Sequence, residues 1–168
     1  MNTLKSFVAV FGLVAAIAIG ASAQTAFNTI NGTKVDLADS RGKVVVLAVG
    51  ASWLPLSAKQ AEFTNVLAKR YTGKDVVVYF VATDSATARS KNFASNDDIL
   101  KFTTANKLTV PVLRDPDGAV ILKLYEVDQL PSFVVLDKQG HRSGEPFGGI
   151  DPKSDVTIPI SKAVDKLL

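Results

Sequence analysis

Few side chains in this chain could carry covalent chemistry. The sequence contains no cysteine and one histidine, His141. Without thiols the chain has no thiolate nucleophile, no thiolate metal ligand and no dithiol that could exchange with a disulfide. The alcohol of Ser57, which follows an apolar stretch, becomes a nucleophile only beside a general base. Nothing in the sequence brings His141 to that serine.

Aspartates are the other candidates for chemistry, as ligands of a cation. Five of them stand near predicted turns or helix starts: Asp84, Asp97, Asp98, Asp115 and Asp117. They lack the spacing of a calcium-binding loop, and helix caps and turns account for each of them. We therefore expect no metal site and no cofactor.

Composition describes an ordinary globular protein. Of the 168 residues, 47% are hydrophobic and 21% are charged, and the net charge is +3. The positive residues form no long run, so the sequence does not predict a nucleic-acid partner. No repeat or low-complexity tract divides the chain.

The N-terminus predicts a secretory signal peptide over residues 1–23. Lys5 precedes an uncharged apolar run over 7–19, and an Ala-x-Ala pattern ends at Ala23. The apolar run is shorter than the roughly 20 residues that a membrane span needs. We expect cleavage after Ala23, no membrane span afterwards, and a periplasmic or extracellular location.

Strands and helices alternate along residues 24–168. Two runs, 44–49 and 76–82, are apolar at every position, which is typical of strands buried on both faces. A third such strand is predicted over 132–136, and a hairpin over 26–30 and 33–37 turns at Asn31-Gly32. Residues 144–149 are interpreted as a loop.

Helices are predicted between these strands. The first predicted helix covers 56–71, and its inner face consists of Leu56, Phe63, Val66, Leu67 and Tyr71. The second begins at a capping box at Ser95 and runs to about Asn106, and a short third helix covers 119–125. The last helix has Ile160, Val164, Leu167 and Leu168 on its inner face. The order predicts one α/β domain with a central mixed sheet and helices on both faces.

Five short motifs follow one another in this framework. They are Gly42-Lys43 with the strand 44–49, the loop 51–57 (ASWLPLS), residues 110–115 (VPVLRD), residues 130–137 (LPSFVVLD) and the turn 137–140 (DKQG). In this order they resemble the thioredoxin-like superfamily, and within it the exported TlpA/ResA-like redoxin group. The resemblance covers nearly all of residues 24–168 and implies a single thioredoxin-like domain there.

The loop departs from the family pattern where the family's chemistry is located. Counted from Trp53, the two redox cysteines of the family correspond to Leu54 and Ser57. Leucine has no ionisable group, and the serine is expected to cap the helix that begins there. The resemblance implies a thiol-disulfide oxidoreductase or a peroxiredoxin, and both need a cysteine. We expect no catalytic residue in this chain.

The same loop is a candidate binding site. Trp53, Leu54, Pro55 and Leu56 are consecutive and largely apolar. If they are exposed they mark a partner surface, whereas Leu54 and Leu56 could instead turn inward as ordinary packing.

Leu130 and Pro131 form the second candidate. Pro131 matches the family's proline that follows a cis bond beside the active loop, where relatives pair with an extended peptide. The alternative is that Pro131 simply terminates a buried strand and has no binding role.

The hypothesis from sequence is therefore a redox-inactive, exported thioredoxin-like domain that binds a peptide or an envelope protein. Three alternatives stay open. They are a thiol-disulfide oxidoreductase of the family type, an enzyme that uses Ser57 without a thiol, and a structural subunit of an envelope complex.

Overall fold

Seven strands form one mixed sheet in the computed structural model of the protein, which describes residues 25–168. The strands are β1 (Ala26–Thr29), β2 (Lys34–Asp36), β3 (Val44–Gly50), β4 (Val76–Ala82), β5 (Val112–Arg114), β6 (Ser132–Leu136) and β7 (Phe147–Gly148). Their spatial order is β2-β1-β5-β4-β3-β6-β7. The central strands β3, β4 and β5 are parallel, and the other neighbours pair antiparallel.

The same residues form four α-helices and two short 3₁₀ helices. These are α1 (Ser57–Arg70), α2 (Asn96–Ala105), α3 (Ile121–Leu124) and α4 (Thr157–Asp165), with 3₁₀ turns at Leu37–Ser40 and Pro116–Gly118. None of the helices in this part of the chain combines the length and the apolarity that a membrane crossing requires. The expected signal peptide, residues 1–23, lies outside the described residues.

Two hydrophobic cores cover the two faces of the sheet, because alternate side chains of a strand point to opposite faces. Val44, Val46 and Ala48 of β3 join one core with side chains of α1, α2 and α4. Val45, Leu47 and Val49 join the other core with α3 and the first 3₁₀ helix. The helices lie on both faces, as the sequence predicts.

The capping box is confirmed at the start of α2. The Ser95 hydroxyl accepts from the backbone N–H of Asp98 at 3.2 Å, and the Asp98 carboxylate accepts from the backbone N–H of Ser95 at 3.2 Å. Two N–H groups that the first helical turn leaves unpaired are satisfied in this way.

Several boundaries differ from the sequence prediction. The second hairpin strand stops at Asp36, because the Asp36 carboxylate accepts from the N–H of Ala38 at 2.9 Å and starts a 3₁₀ helix. The expected loop around 144–149 contains β7, whose two residues are too few to show a strand period. Val66 and Leu168, expected on inner helix faces, are 46% and 45% exposed.

Candidate functional site

The candidate site lies at the edge of the sheet where β3 ends and β6 begins. Val49 of β3 pairs with Ser132 of the antiparallel strand β6. The chain therefore leaves β3 into the loop at the same edge where it enters β6 from Pro131. The Leu130–Pro131 peptide bond is cis, as the resemblance implies. The two segments singled out in the sequence thus meet at one edge.

Gln60, in the second turn of α1, ties the two segments together. Its side chain is fully buried, and its Nε2 donates to the carbonyl of Val49 at 3.0 Å and to that of Ser132 at 2.9 Å. The Gln60 Oε1 and the Ser132 Oγ are buried without a hydrogen-bond partner in residues 25–168. Gly50 makes room for the amide, since a Cβ there would lie 2.2 Å from Oε1.

The loop after β3 is anchored by a buried carboxylate. Asp84 is fully buried and accepts three hydrogen bonds from Ser52: from the backbone N–H at 3.0 and 3.1 Å, and from the hydroxyl at 2.5 Å. The sequence interpretation of Asp84 as a turn residue was wrong in this respect. Its carboxylate holds a loop from another strand, which only the parallel pairing of β3 and β4 brings near.

Arg114, at the end of β5, holds the segment that follows β4. Its guanidinium donates to the carbonyl of Asp84 at 2.6 Å, to that of Ala94 at 2.8 Å and to Oδ1 of Asn96 at 3.2 Å. Burial lowers the pKa of Arg114, and the charges of Asp84 and Asp117 oppose that shift. The three parallel strands thus end in one connected polar network.

Neither position that corresponds to a family cysteine can act as a nucleophile. Leu54 is half-buried and has no reactive atom. Ser57 is buried, and its hydroxyl donates to the carbonyl of Ala51, so no base takes its proton. The expectation that Ser57 caps α1 was wrong. The cap position is Leu56, and no side chain caps this helix, because Ser57 already lies in the first turn.

His141 lies far from this edge. It follows the end of β6 opposite to Ser132, and the length of that strand separates the two ends by about 13 Å at 3.3 Å per residue. Its side chain is exposed, with Nδ1 3.9 Å from the Asp137 carboxylate. The geometry forms no Ser57–His141 pair. In residues 25–168 no group of three or more His, Cys, Asp or Glu side chains could hold a metal ion.

The apolar loop divides between exposed and buried side chains. Trp53 is 49% exposed and Pro55 is also exposed, whereas Leu54 and Leu56 are half-buried. Leu56 packs against the core on the α1 face. The loop therefore has exposed side chains at Trp53 and Pro55, and inward packing at Leu56.

The second segment is less exposed. Leu130 packs against the opposite core and Pro131 is buried. Phe93, which follows β4 and was not singled out in the sequence, is 41% exposed and bridges to Ser85 near the carboxyl end of that strand.

Gln60 and Arg114 were missed by the sequence analysis. A weak signal existed for Gln60, which stands four residues after Leu56 and three before Phe63, on the otherwise apolar side of the predicted helix. Arg114 belongs to the motif at residues 110–115, but no pattern in the sequence predicts that its guanidinium reaches Ala94 and Asn96.

Comparison with known proteins shows the family of the whole chain. A family model described as "AhpC/TSA family" matches residues 18–141. The chain belongs to the AhpC/TSA family. This AhpC/TSA chain is 32% identical over 111 residues to the thiol-disulfide oxidoreductase ResA of Bacillus thuringiensis subsp. konkukian. The match covers 66% of the chain but only 58% of the length of that relative.

Solved structures agree with the fold. The exposed lipoprotein thioredoxin Etrx1 of Streptococcus pneumoniae superposes with a TM-score of 0.68 at 26% identity, over 86% of this chain and all of that one. A secreted disulfide oxidoreductase of Mycobacterium tuberculosis superposes with a TM-score of 0.63 at 23% identity, over 86% of this chain and 96% of that one. The thioredoxin-like fold and the ResA/TlpA-like redoxin resemblance are confirmed, in a chain that contains no cysteine.

Proposed function

We propose that this chain is a thiol-free binding domain that works outside the cytoplasm and takes an extended peptide, or an extended segment of a partner protein, at the edge formed by residues 53–56 and 130–131. The observation that carries the proposal is Trp53, which is 49% exposed beside the backbone of that edge. Tryptophan is among the residues enriched at the hot spots of binding interfaces.

The architecture of the edge supports a binding role. The loop does not depend on a ligand for its shape, because Asp84 holds Ser52 and Gln60 links β3 to β6. A preformed surface of this kind loses little conformational entropy when a partner binds. Trp53, Pro55 and Phe93 supply exposed apolar area near the carboxyl ends of β3 and β4.

The location outside the cytoplasm rests on two supports. One is the signal-peptide pattern over residues 1–23. The other is the similarity to proteins described as an exposed lipoprotein thioredoxin and as a secreted disulfide oxidoreductase. The disulfide chemistry of these relatives is not available to this chain, which has no thiol to form a mixed disulfide.

Peptide selection tests the binding role. A phage library of random twelve-residue peptides is selected on the purified protein, and the affinity of enriched peptides is measured by fluorescence anisotropy. We expect Trp53→Ala to weaken binding about tenfold or more, since hot-spot tryptophans contribute strongly to affinity.

Ile158→Ala is the matched control, because Ile158 is a 56% exposed apolar residue on α4 and away from the edge. It should leave the affinity unchanged. The proposal fails if no peptide is enriched, or if Trp53→Ala and Ile158→Ala have equal effects. Turnover in an insulin-reduction assay would show an enzymatic activity and contradict a role in binding alone.

A further inference from the structure

A cavity of about 340 Å³ lies at the opposite end of the molecule from the Trp53 loop. It opens between the 3₁₀ helix Leu37–Ser40, the end of α3 and the turn after β6. Its apolar lining comes from Leu37, Leu124 and Leu136, and its polar lining includes Tyr125, Arg41 and His141.

Tyr125 gives the cavity a hydroxyl group that the described part of the fold does not use. The residue as a whole is only 5% exposed, but its hydroxyl remains accessible to solvent and makes no hydrogen bond with another residue in the described part of the chain. Burial raises the pKa of Tyr125, so the phenol is a neutral donor at physiological pH.

Arg41 supplies a positive charge at the same cavity. It is exposed and forms no ion pair within residues 25–168. The Asp36 carboxylate lies close enough for the charge of Arg41 to help lower its pKa, but the largest cause of that shift is the hydrogen bond from Thr25.

The other arginine of the cavity is already engaged. Arg142 donates to Glu126 at 2.5 Å and to Glu145 at 3.0 Å. The charge available to a ligand is therefore that of Arg41. His141, whose side chain is exposed, has Asp137 as its acidic neighbour at 3.9 Å.

We propose that this cavity binds a small monocarboxylic acid with an apolar body, such as a medium-chain aliphatic acid. The apolar body contacts the three leucines, and the carboxylate accepts hydrogen bonds from the Arg41 guanidinium and the Tyr125 hydroxyl. A guanidinium fits a carboxylate with two parallel hydrogen bonds. This site is separate from the proposed peptide edge, so either can exist without the other.

Titration with octanoate tests the site, since octanoate joins one carboxylate to an unbranched apolar chain. Binding is followed by NMR on protein labelled at leucine methyl groups. We expect saturable shifts that are largest at Leu37, Leu124 and Leu136. The uncharged analogue 1-octanol should bind at least tenfold more weakly than octanoate.

Two variants separate the carboxylate contacts from general apolar adsorption. Arg41→Gln should weaken octanoate binding at least tenfold and Tyr125→Phe about fivefold, while octanol binding stays unchanged in the arginine variant. Arg89→Gln, which removes an exposed arginine elsewhere, should leave octanoate binding as it is.

Three results would overturn the proposal. They are the absence of saturable shifts at the three leucines, equal binding of octanol and octanoate, and octanoate binding that Arg41→Gln leaves unchanged. Circular dichroism of each variant confirms that it is folded.

Discussion

The two ends of the sheet differ in how many of their polar side chains are held by hydrogen bonds within the protein. At the Trp53 end, Asp84, Arg114 and the Nε2 of Gln60 are engaged with backbone groups and with the loop, and the two buried oxygens without a partner in residues 25–168, Gln60 Oε1 and Ser132 Oγ, are closed off from solvent. At the cavity end, the Tyr125 hydroxyl and the Arg41 guanidinium line open space. Engaged groups fix a surface, whereas unengaged groups can bind a ligand without first breaking a contact.

The difference bears on how a redoxin scaffold can persist without cysteines. In the family pattern the loop positions a nucleophile, and here Leu54 and Ser57 occupy those positions. The network that positions the loop is nevertheless complete, from Ser52 through Asp84 to Arg114. If the proposed binding role is right, this network holds the loop that carries Trp53 and Pro55 in a fixed position.

The largest effect is expected from Asp84→Ala. The substitution leaves the N–H and hydroxyl of Ser52 without their acceptor and takes a negative charge away from Arg114. We expect the free energy of unfolding in urea to fall by about 3 kcal/mol.

Two controls sharpen this prediction. Asp84→Asn keeps an acceptor for Ser52 and should cost about 1 kcal/mol. Asp128→Ala removes an exposed carboxylate and should change stability by less than about 0.5 kcal/mol. If Asp84→Ala and Asp128→Ala have the same effect, the network does not stabilise the loop end.

An intermediate effect is expected from Gly50→Ala. The added Cβ would lie 2.2 Å from Oε1 of Gln60, whose amide is held by two hydrogen bonds and cannot easily move. We expect a loss of about 2 kcal/mol of unfolding free energy in urea titrations.

A double-mutant cycle shows whether the collision is the cause. In the background of Gln60→Ala the new methyl group finds space, and Gly50→Ala should become neutral or stabilising, since alanine is less costly than glycine inside a strand. The same loss in both backgrounds would show that Gln60 is not what makes glycine necessary at position 50.

The sequence predicted elements better than it predicted contacts. The strands β3 and β4 and the helix α1 were evident because apolar runs and helical spacing are local signals. The strand β7 has two residues and too little pattern to detect.

The site was predicted only in part for a similar reason. Trp53 and Pro131 were found through motifs, whereas the partner of Asp84 depends on which strands pair. The contacts of Gln60 and the unpartnered hydroxyl of Tyr125 likewise follow from packing between distant segments, which no spacing in the sequence records.

The smallest effect on stability is expected at the cavity end, from Tyr125→Phe. The Tyr125 hydroxyl has no hydrogen bond within residues 25–168, so its removal should change the free energy of unfolding by less than about 0.5 kcal/mol. Tyr71 is the matched control, because it is also buried but its hydroxyl donates to the Ser161 carbonyl at 3.1 Å and to Asp165 at 2.8 Å.

The comparison of the two tyrosines separates an engaged hydroxyl from an unengaged one at nearly equal burial. Tyr71→Phe should lower the free energy of unfolding by about 1.5 kcal/mol, measured in the same urea titrations. A loss of that size from Tyr125→Phe would mean that its hydroxyl is already engaged by the protein, and the cavity would then lack the donor that a carboxylate needs. A small effect would leave that donor available, because a group that contributes nothing to folding can bind a ligand at no cost to the fold.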